Sequence, residues 1–252
     1  MMITNKKIYG LDNKELAFYR ETGYLLSKGV FTRGEAESFR DEARALVRRL
    51  MAVSDPSVRS EGWTSGSKVT DLPRELQHCH NVQFHSAVFS RLICDPRLVD
   101  RVADLIGSNV QLHHTKMFIK PPERGAPFPM HQDYPYFPHE NHTMTAATIH
   151  FDDAPIEKGC IRVVPRSFKN GPYEHIHEGG SHLPVKEYPV AEATPCPAEA
   201  GDVLFFNYLT IHGSGLNTTD EPRTTLLVQM RDPSDRPLGL QHLSRGQGMM
   251  LR

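Results

Sequence analysis

From residue 109 onward the chain breaks into short runs rich in β-branched and aromatic residues, each bounded by Pro, Gly, Asn or Asp. The runs are VQLHHTKMFIK, MTAATIHF, CIRVVP, DVLFFNYLTI and TTLLVQM. Such punctuation suggests a sheet of many short strands. Upstream the pattern is helical. Asp12 and Glu15 stand at capping-box spacing ahead of LAFYRETGYLL, and Thr32 with Glu35 repeats the signal before a longer helix. In that helix Ala36, Phe39, Ala43, Leu46, Val47 and Leu50 recur every three or four residues, marking one buried face. Asp95 as cap, Pro96 in the first turn, then Leu98, Val99, Val102, Leu105 and Ile106 before Gly107, outline a short amphipathic helix. Residues 54–76 mix Ser, Gly, Asp and Pro with the single tryptophan, Trp63, and lack any period, so they read as a loop and a candidate lid.

Helices first and strands afterwards predict a mainly β protein with flanking helices, a β-sandwich or jelly roll. The expected organisation is one domain over 1–252, with a helical flank at 12–107, a β core at 109–232 and a polar, mobile or loosely docked tail at 233–252.

Charge narrows the function. Lys and Arg number 29 against 30 Asp and Glu, interspersed, so no basic stripe is available for a nucleic acid backbone. No run of eighteen apolar residues and no signal-peptide core appear, which predicts a cytoplasmic protein without a membrane partner, monomeric or a small homo-oligomer. Cys79, Cys94, Cys160 and Cys196 are irregularly spaced and suggest neither a zinc knuckle nor a disulfide framework. Fourteen histidines, most between His78 and His182, raise the prospect of a metal or proton-transfer site.

His131-Gln132-Asp133 sets an imidazole and a carboxylate two residues apart at the end of a β-type run, hence on one face. A later histidine would complete two nitrogens and one oxygen on one face of an octahedron, the arrangement of non-haem Fe(II) oxygenases, with positions left for a chelating co-substrate and O2. His150-Phe151-Asp152 matches the same tripeptide, and spacing alone does not choose between them. His212 in LTIHGSGLN supplies the distal imidazole, and Arg223 follows eleven residues later. A buried guanidinium there can grip the far carboxylate of 2-oxoglutarate through two parallel hydrogen bonds, with Ser214 adding a hydroxyl.

In the segments HQDYPYFPH, EAGDVLFF, IHGSGLN and DEPR, and also in GYLLSKGVFTRGE, KPPERG and GCIRVVPRSFKNGP, the chain resembles the phytanoyl-CoA dioxygenase-like family across roughly residues 15–232. The resemblance implies a double-stranded β-helix of the cupin-like kind, in which the strand carrying the acid pair lies beside the strand carrying the distal histidine. That favours His131, Asp133 and His212 as ligands of Fe(II), with 2-oxoglutarate and O2 as co-substrates. It further implies Arg223 and Ser214 as 2-oxoglutarate contacts, with Lys116 and Thr148 lining the pocket. Some relatives carry a co-substrate lysine upstream of the amphipathic helix; none occurs here between Lys68 and Lys116, and His80 or Asn81 stands in that region. The resemblance implies oxidation of an organic molecule with release of succinate and CO2, the family accepting acyl-CoA thioesters, amino acids, phosphonates and natural-product intermediates. With no basic cluster to mark a CoA site, a small polar or natural-product substrate is expected. Hydroxylation is the default because halogenating relatives lack the carboxylate, while desaturation, ring closure and epimerisation stay open.

Tyr134, Tyr136, His150, Asn81 and Trp63 are the candidates for a substrate pocket. The aromatic pair has packing under a loop as its commoner use, and His150 shares a strand face with Ala146 and Thr148 that could line a cavity or meet solvent. Residues 171–188, with His175, His177 and His182, read as a solvated loop in preference to a second metal site. Two other readings remain: a 2-oxoglutarate-independent cupin-type metalloenzyme, and a non-catalytic metal- or ligand-binding β-sandwich.

Overall fold

The computed structural model describes residues 8–52, 62–64, 76–122, 128–178, 180–239 and 248–252. Helix α1 (Asn13–Thr22) starts on a complete capping box between Asp12 and Glu15 and stops at Gly23, whose backbone is left-handed (φ 84°). The helix therefore ends before the YLL run, and Tyr24–Ser27 forms strand β1 instead. That four-residue run carries no period of its own; Gly23 decides its fate. Helix α2 (Arg33–Ala52) begins on the reciprocal Thr32–Glu35 bonds. Strands β2 (Gly62–Thr64) and β3 (Leu76–His80) pair antiparallel, so a strand lies within the stretch expected to be loop; its remaining residues, and the lid reading, fall outside the described residues. Short helix α3 (Ala87–Leu92) precedes α4 (Pro96–Ile106), which has the Asp95 cap, Pro96 and Gly107 stop expected of it.

The β core follows as β4 (Gln111–Lys120), β5 (Phe128–His131), β6 (Thr145–His150), β7 (Ile161–Val163), β8 (Thr194–Cys196), β9 (Val203–Asn207), β10 (His212–Ser214) and β11 (Arg223–Arg231). Two sheets result: β1-β9-β6-β11-β4-β3-β2 and β5-β10-β7-β8. Strands β1, β2 and β3 come from the segment read as a helical flank and extend the larger sheet at both edges.

Period-two alternation assigns the faces. Ala147, Ile149, Val203, Phe205, Leu226, Val228 and Met230 turn outward onto Ala43 and Leu46 of α2 and Leu98, Val99 and Val102 of α4, forming the main core. The intervening residues Ala146, Leu204, Phe206 and Leu227 turn inward and meet Val163 and Cys196 of the smaller sheet. The space between the sheets is thus the interior of a jelly roll, and polar residues of inward parity stand out within it. Described residues of the tail are docked: the Arg252 carbonyl accepts from Val110 N–H, Leu112 N–H donates to the Met249 carbonyl, and the Arg252 guanidinium pairs with Asp100.

Candidate active site

Residues His131 and His212 are register partners, the last of β5 and the first of β10, with ring centroids 4.3 Å apart. Their Nδ1–H groups donate to the carbonyls of Pro129 (3.0 Å) and Thr210 (2.9 Å). A carbonyl only accepts, so both rings are fixed as Nδ1–H tautomers with the Nε2 lone pairs turned elsewhere. Both lone pairs face Asp133 Oδ1, at 3.8 and 3.7 Å. Burial depresses the His131 pKa to about 3, with the neighbouring His212 adding to the shift, and burial likewise takes His212 to about 4. These contacts are therefore not ion pairs; two neutral imidazole nitrogens and one carboxylate oxygen converge on a common point. Burial raises the Asp133 pKa against the lowering influence of its neighbours. Among the described residues, this is the one set of three or more His, Cys, Asp or Glu ligand atoms that converges, all within 4.8 Å. The donor set fits a ferrous ion with one open face.

Asp133 is held in place from three sides. Its backbone N–H donates to the Tyr208 carbonyl (2.9 Å), and its Oδ2 accepts from Gln229 Nε2 (2.8 Å). The fully buried Gln132 beside it donates to the carbonyls of Gly171 (3.0 Å) and Leu209 (2.6 Å) and accepts from Tyr173 N–H (2.8 Å). Its backbone N–H goes to His175 Nε2 (2.9 Å). His175 is accordingly a buried bracket for the His131–Asp133 turn and not a solvated loop residue. His177 bonds Ser181 Oγ and His182 bonds the Leu183 carbonyl.

Close approach of β10 to β5 depends on Gly213: a Cβ there would stand 2.8 Å from both Met130 Sδ and the Phe128 carbonyl. Gly213→Ala is expected to force the strands apart and cost ~1–3 kcal/mol. Thermal unfolding checks this, and an unchanged midpoint would refute it.

Rows of register partners across the larger sheet give depth to the interior. Ala146, Gln229 and His114 form one row; Thr148, Leu227, Lys116 and His80 the next; His150, Thr225, Phe118 and His78 the third; Arg223 and Lys120 the last. The triad contacts the first row through Gln229. Arg223 is 5% exposed, and Lys120 opposite it donates to Ser214 Oγ (3.2 Å). Thr148 lies between triad and arginine, as does Lys116, whose pKa burial lowers to about 8 while the Asp133 carboxylate works to raise it. Its Nζ sits 4.6 Å from the Phe118 ring centroid.

His150 faces inward, not to solvent. Its Nδ1 lies 3.3 Å from the Asp202 carbonyl, its Nε2 is buried without a hydrogen-bond partner among the described residues, and burial followed by the Arg223 charge depresses its pKa to about 3. The second His-x-Asp match is therefore no ligand pair: Asp152 accepts from Arg40 Nη1 (3.1 Å) and Thr224 N–H (2.8 Å). Tyr134 packs against His142 and Tyr208, and the Tyr136 hydroxyl accepts from Ser181 N–H. Asn81 lies just past β3 at φ 54° and donates its backbone N–H to the Thr115 carbonyl, leaving His80 as the inward residue of that pair. The Trp63 side chain lies outside the described residues. Arg162 donates to the Ala191 and Ala193 carbonyls.

A jelly roll with two imidazoles and a carboxylate on one interior face, and a buried arginine deeper in the same space, defines the class of non-haem iron oxygenases. The family model for phytanoyl-CoA dioxygenase (PhyH) matches residues 19–225, and the chain belongs to that family. Rat peroxisomal phytanoyl-CoA dioxygenase is 27% identical over 233 residues, covering 84% of this chain and 67% of the relative. A probable alpha-ketoglutarate-dependent hypophosphite dioxygenase of Stutzerimonas stutzeri is 25% identical over 218 residues, covering 83% and 75%. Among solved structures, the epimerase SnoN in complex with Fe3+, alpha ketoglutarate and nogalamycin RO superposes with a TM-score of 0.70 at 26% identity, covering 93% of this chain and 90% of that one. The chain is an Fe(II)- and 2-oxoglutarate-dependent dioxygenase, with O2 as the second co-substrate. No helix among the described residues is long and apolar enough to cross a membrane.

Proposed function

We propose that His131, Asp133 and His212 hold a single Fe(II), that Arg223 and Ser214 grip the distal carboxylate of 2-oxoglutarate, and that Lys116 and Thr148 line the channel between. The observation that carries this reading is the orientation of the donors: both imidazoles are locked with Nε2 toward Asp133 Oδ1 in a buried space that also contains Arg223. When bound, iron supplies O2 activation coupled to oxidative decarboxylation of 2-oxoglutarate to succinate and CO2. The chain's own residues do the rest. Neutral Nε2 atoms and a carboxylate leave the metal site with net positive charge, which welcomes a dianion. Arg223 fixes the orientation of that dianion through a planar fork. The apolar walls Leu227, Val163 and Phe206 exclude water from the same space. Selectivity then comes from holding one substrate C–H near the metal.

The substrate favoured is a small polar or natural-product molecule, oxidised at an unactivated carbon by a cytoplasmic enzyme. The likeness to SnoN, over nearly the whole of both chains, supports a natural-product substrate more than an acyl-CoA. Tyr134, Tyr136 and Trp63 are proposed for the substrate side, and His150 for the co-substrate end beside Arg223. Succinate release measured over a panel of candidate molecules tests the reading. Release should require Fe(II) and 2-oxoglutarate and should rise with the true substrate. Turnover undiminished without 2-oxoglutarate would overturn it.

A further inference from the structure

Beyond the three candidate ligands, polar side chains from three strands make a continuous hydrogen-bonded line that ends on the carboxylate. Asp133 Oδ2 accepts from Gln229 Nε2 (2.8 Å), Gln229 Oε1 lies 3.2 Å from His114 Nδ1, and His114 Nε2 lies 2.8 Å from His80 Nδ1. Each link dictates the next. An ionised carboxylate only accepts, so the Gln229 amide nitrogen faces it and the amide oxygen faces away. That oxygen also only accepts, so His114 carries its proton on Nδ1 and presents a lone pair at Nε2. The lone pair then requires His80 to donate from Nδ1. A flipped amide would set two oxygens against each other, so the line has one consistent direction.

We propose that His80, His114 and Gln229 form a directed relay that positions the Asp133 carboxylate as a one-oxygen ligand. The proposal rests on the reading of Asp133 as a metal ligand. Because Gln229 occupies Oδ2, only Oδ1 is turned toward His131 and His212. A carboxylate freed from Gln229 can swing Oδ2 inward and chelate, taking a position that the co-substrates need. The relay is well supported by packing: Gln229 and His114 are register partners on β11 and β4, both buried, and the His114 ring is flanked by Phe137 and by His80. Burial also keeps His114 neutral, lowering its pKa to about 4, as the direction of the line requires. None of the three residues touches the reacting atoms; their role is positioning.

Metal titration of the metal-free protein with Co(II) alone tests this, using affinity and the visible ligand-field spectrum as readouts. Gln229→Leu is expected to weaken Co(II) binding by ~10–100-fold and to change the spectrum as the carboxylate turns bidentate. His114→Leu should weaken it in the same sense. His114→Gln, which can still donate and accept, should recover most of the loss at an unfolding midpoint like that of His114→Leu, an outcome that mere packing would not give. Nitrogen-15 NMR of the unmodified metal-free protein should find His114 and His80 both as Nδ1–H tautomers, a test that needs no variant to fold. The relay is overturned if Gln229→Leu keeps wild-type affinity and spectrum, if His114→Gln is no better than His114→Leu, or if His114 is protonated on Nε2. Asp133→Ala separates the two ideas: Co(II) binding that survives it sinks the metal-site reading, whereas binding lost there but untouched in Gln229→Leu sinks the relay alone.

Discussion

Arg223→Leu is expected to raise the 2-oxoglutarate concentration for half-maximal succinate release by on the order of a hundredfold or more. Truncating one partner of a buried, charge-assisted bidentate contact costs about 2–5 kcal/mol, and every 1.4 kcal/mol is tenfold. Arg223 has the setting for such a contact. It opens β11, is 5% exposed, and has Lys120 as its register partner with Ser214 in reach of that lysine. Arg223→Lys should recover charge but not the planar fork, and so fall between wild type and leucine. Fe(II) affinity should change little, because the arginine lies six residues along β11 from Gln229, the residue that donates to Asp133. An unaltered 2-oxoglutarate requirement in Arg223→Leu would remove the co-substrate site from this end of the barrel.

The second large effect is acid lability of the metal-free protein. His114, His131, His150 and His212 are buried, and desolvation is the first cause holding them at about 4, 3, 3 and 4. Folded pKa values below the unfolded value of about 6.5 mean that the unfolded chain takes up protons first as pH falls. Stability is therefore intact above about pH 6.5 and is lost as pH drops toward 4, at up to ~1.4 kcal/mol per pH unit for each imidazole. The raised Asp133 acts in the opposite sense but is one group against four. Four such terms over one pH unit amount to a large part of the ~5–15 kcal/mol that folds a typical domain. Melting curves at pH 7.5, 6.5 and 5.5 should show a steep fall in midpoint below 6.5, reduced when Co(II) occupies the site. A midpoint flat across that range would contradict the burial of these rings as neutral groups.

Much of this was legible from local chemistry. The Asp12–Glu15 and Thr32–Glu35 boxes and the Asp95–Pro96–Gly107 frame are set by neighbours within one turn, and the helices start and stop there. Strand β1 was not legible, because Tyr24, Leu25 and Leu26 continue the apolar pattern of the preceding helix, which the left-handed Gly23 ends. The run DVLFFNYLTI hid a similar break: β9 ends at Asn207, the chain turns, and His212 opens a separate three-residue strand. Spacing offered two His-x-Asp pairs; the family resemblance favoured the first, and long-range register pairs His131 with His212 while committing Asp152 to Arg40 and Thr224. Parity correctly put His150 on the face of Ala146 and Thr148, but its depth beside Arg223 follows from the pairing of β6 with β11. The relay was out of reach for the same reason, since Gln229 and His114 are 115 positions apart. A lone glutamine at inward parity within TTLLVQM was the one signal available.

Anomalous diffraction at the iron edge, from crystals grown anaerobically with Fe(II), asks the central question most directly. One peak per chain is expected, bonded to His131 Nε2, His212 Nε2 and a single oxygen of Asp133. A peak elsewhere in the histidine-rich interior, or a map in which Asp133 or His212 makes no bond to the metal, would contradict it.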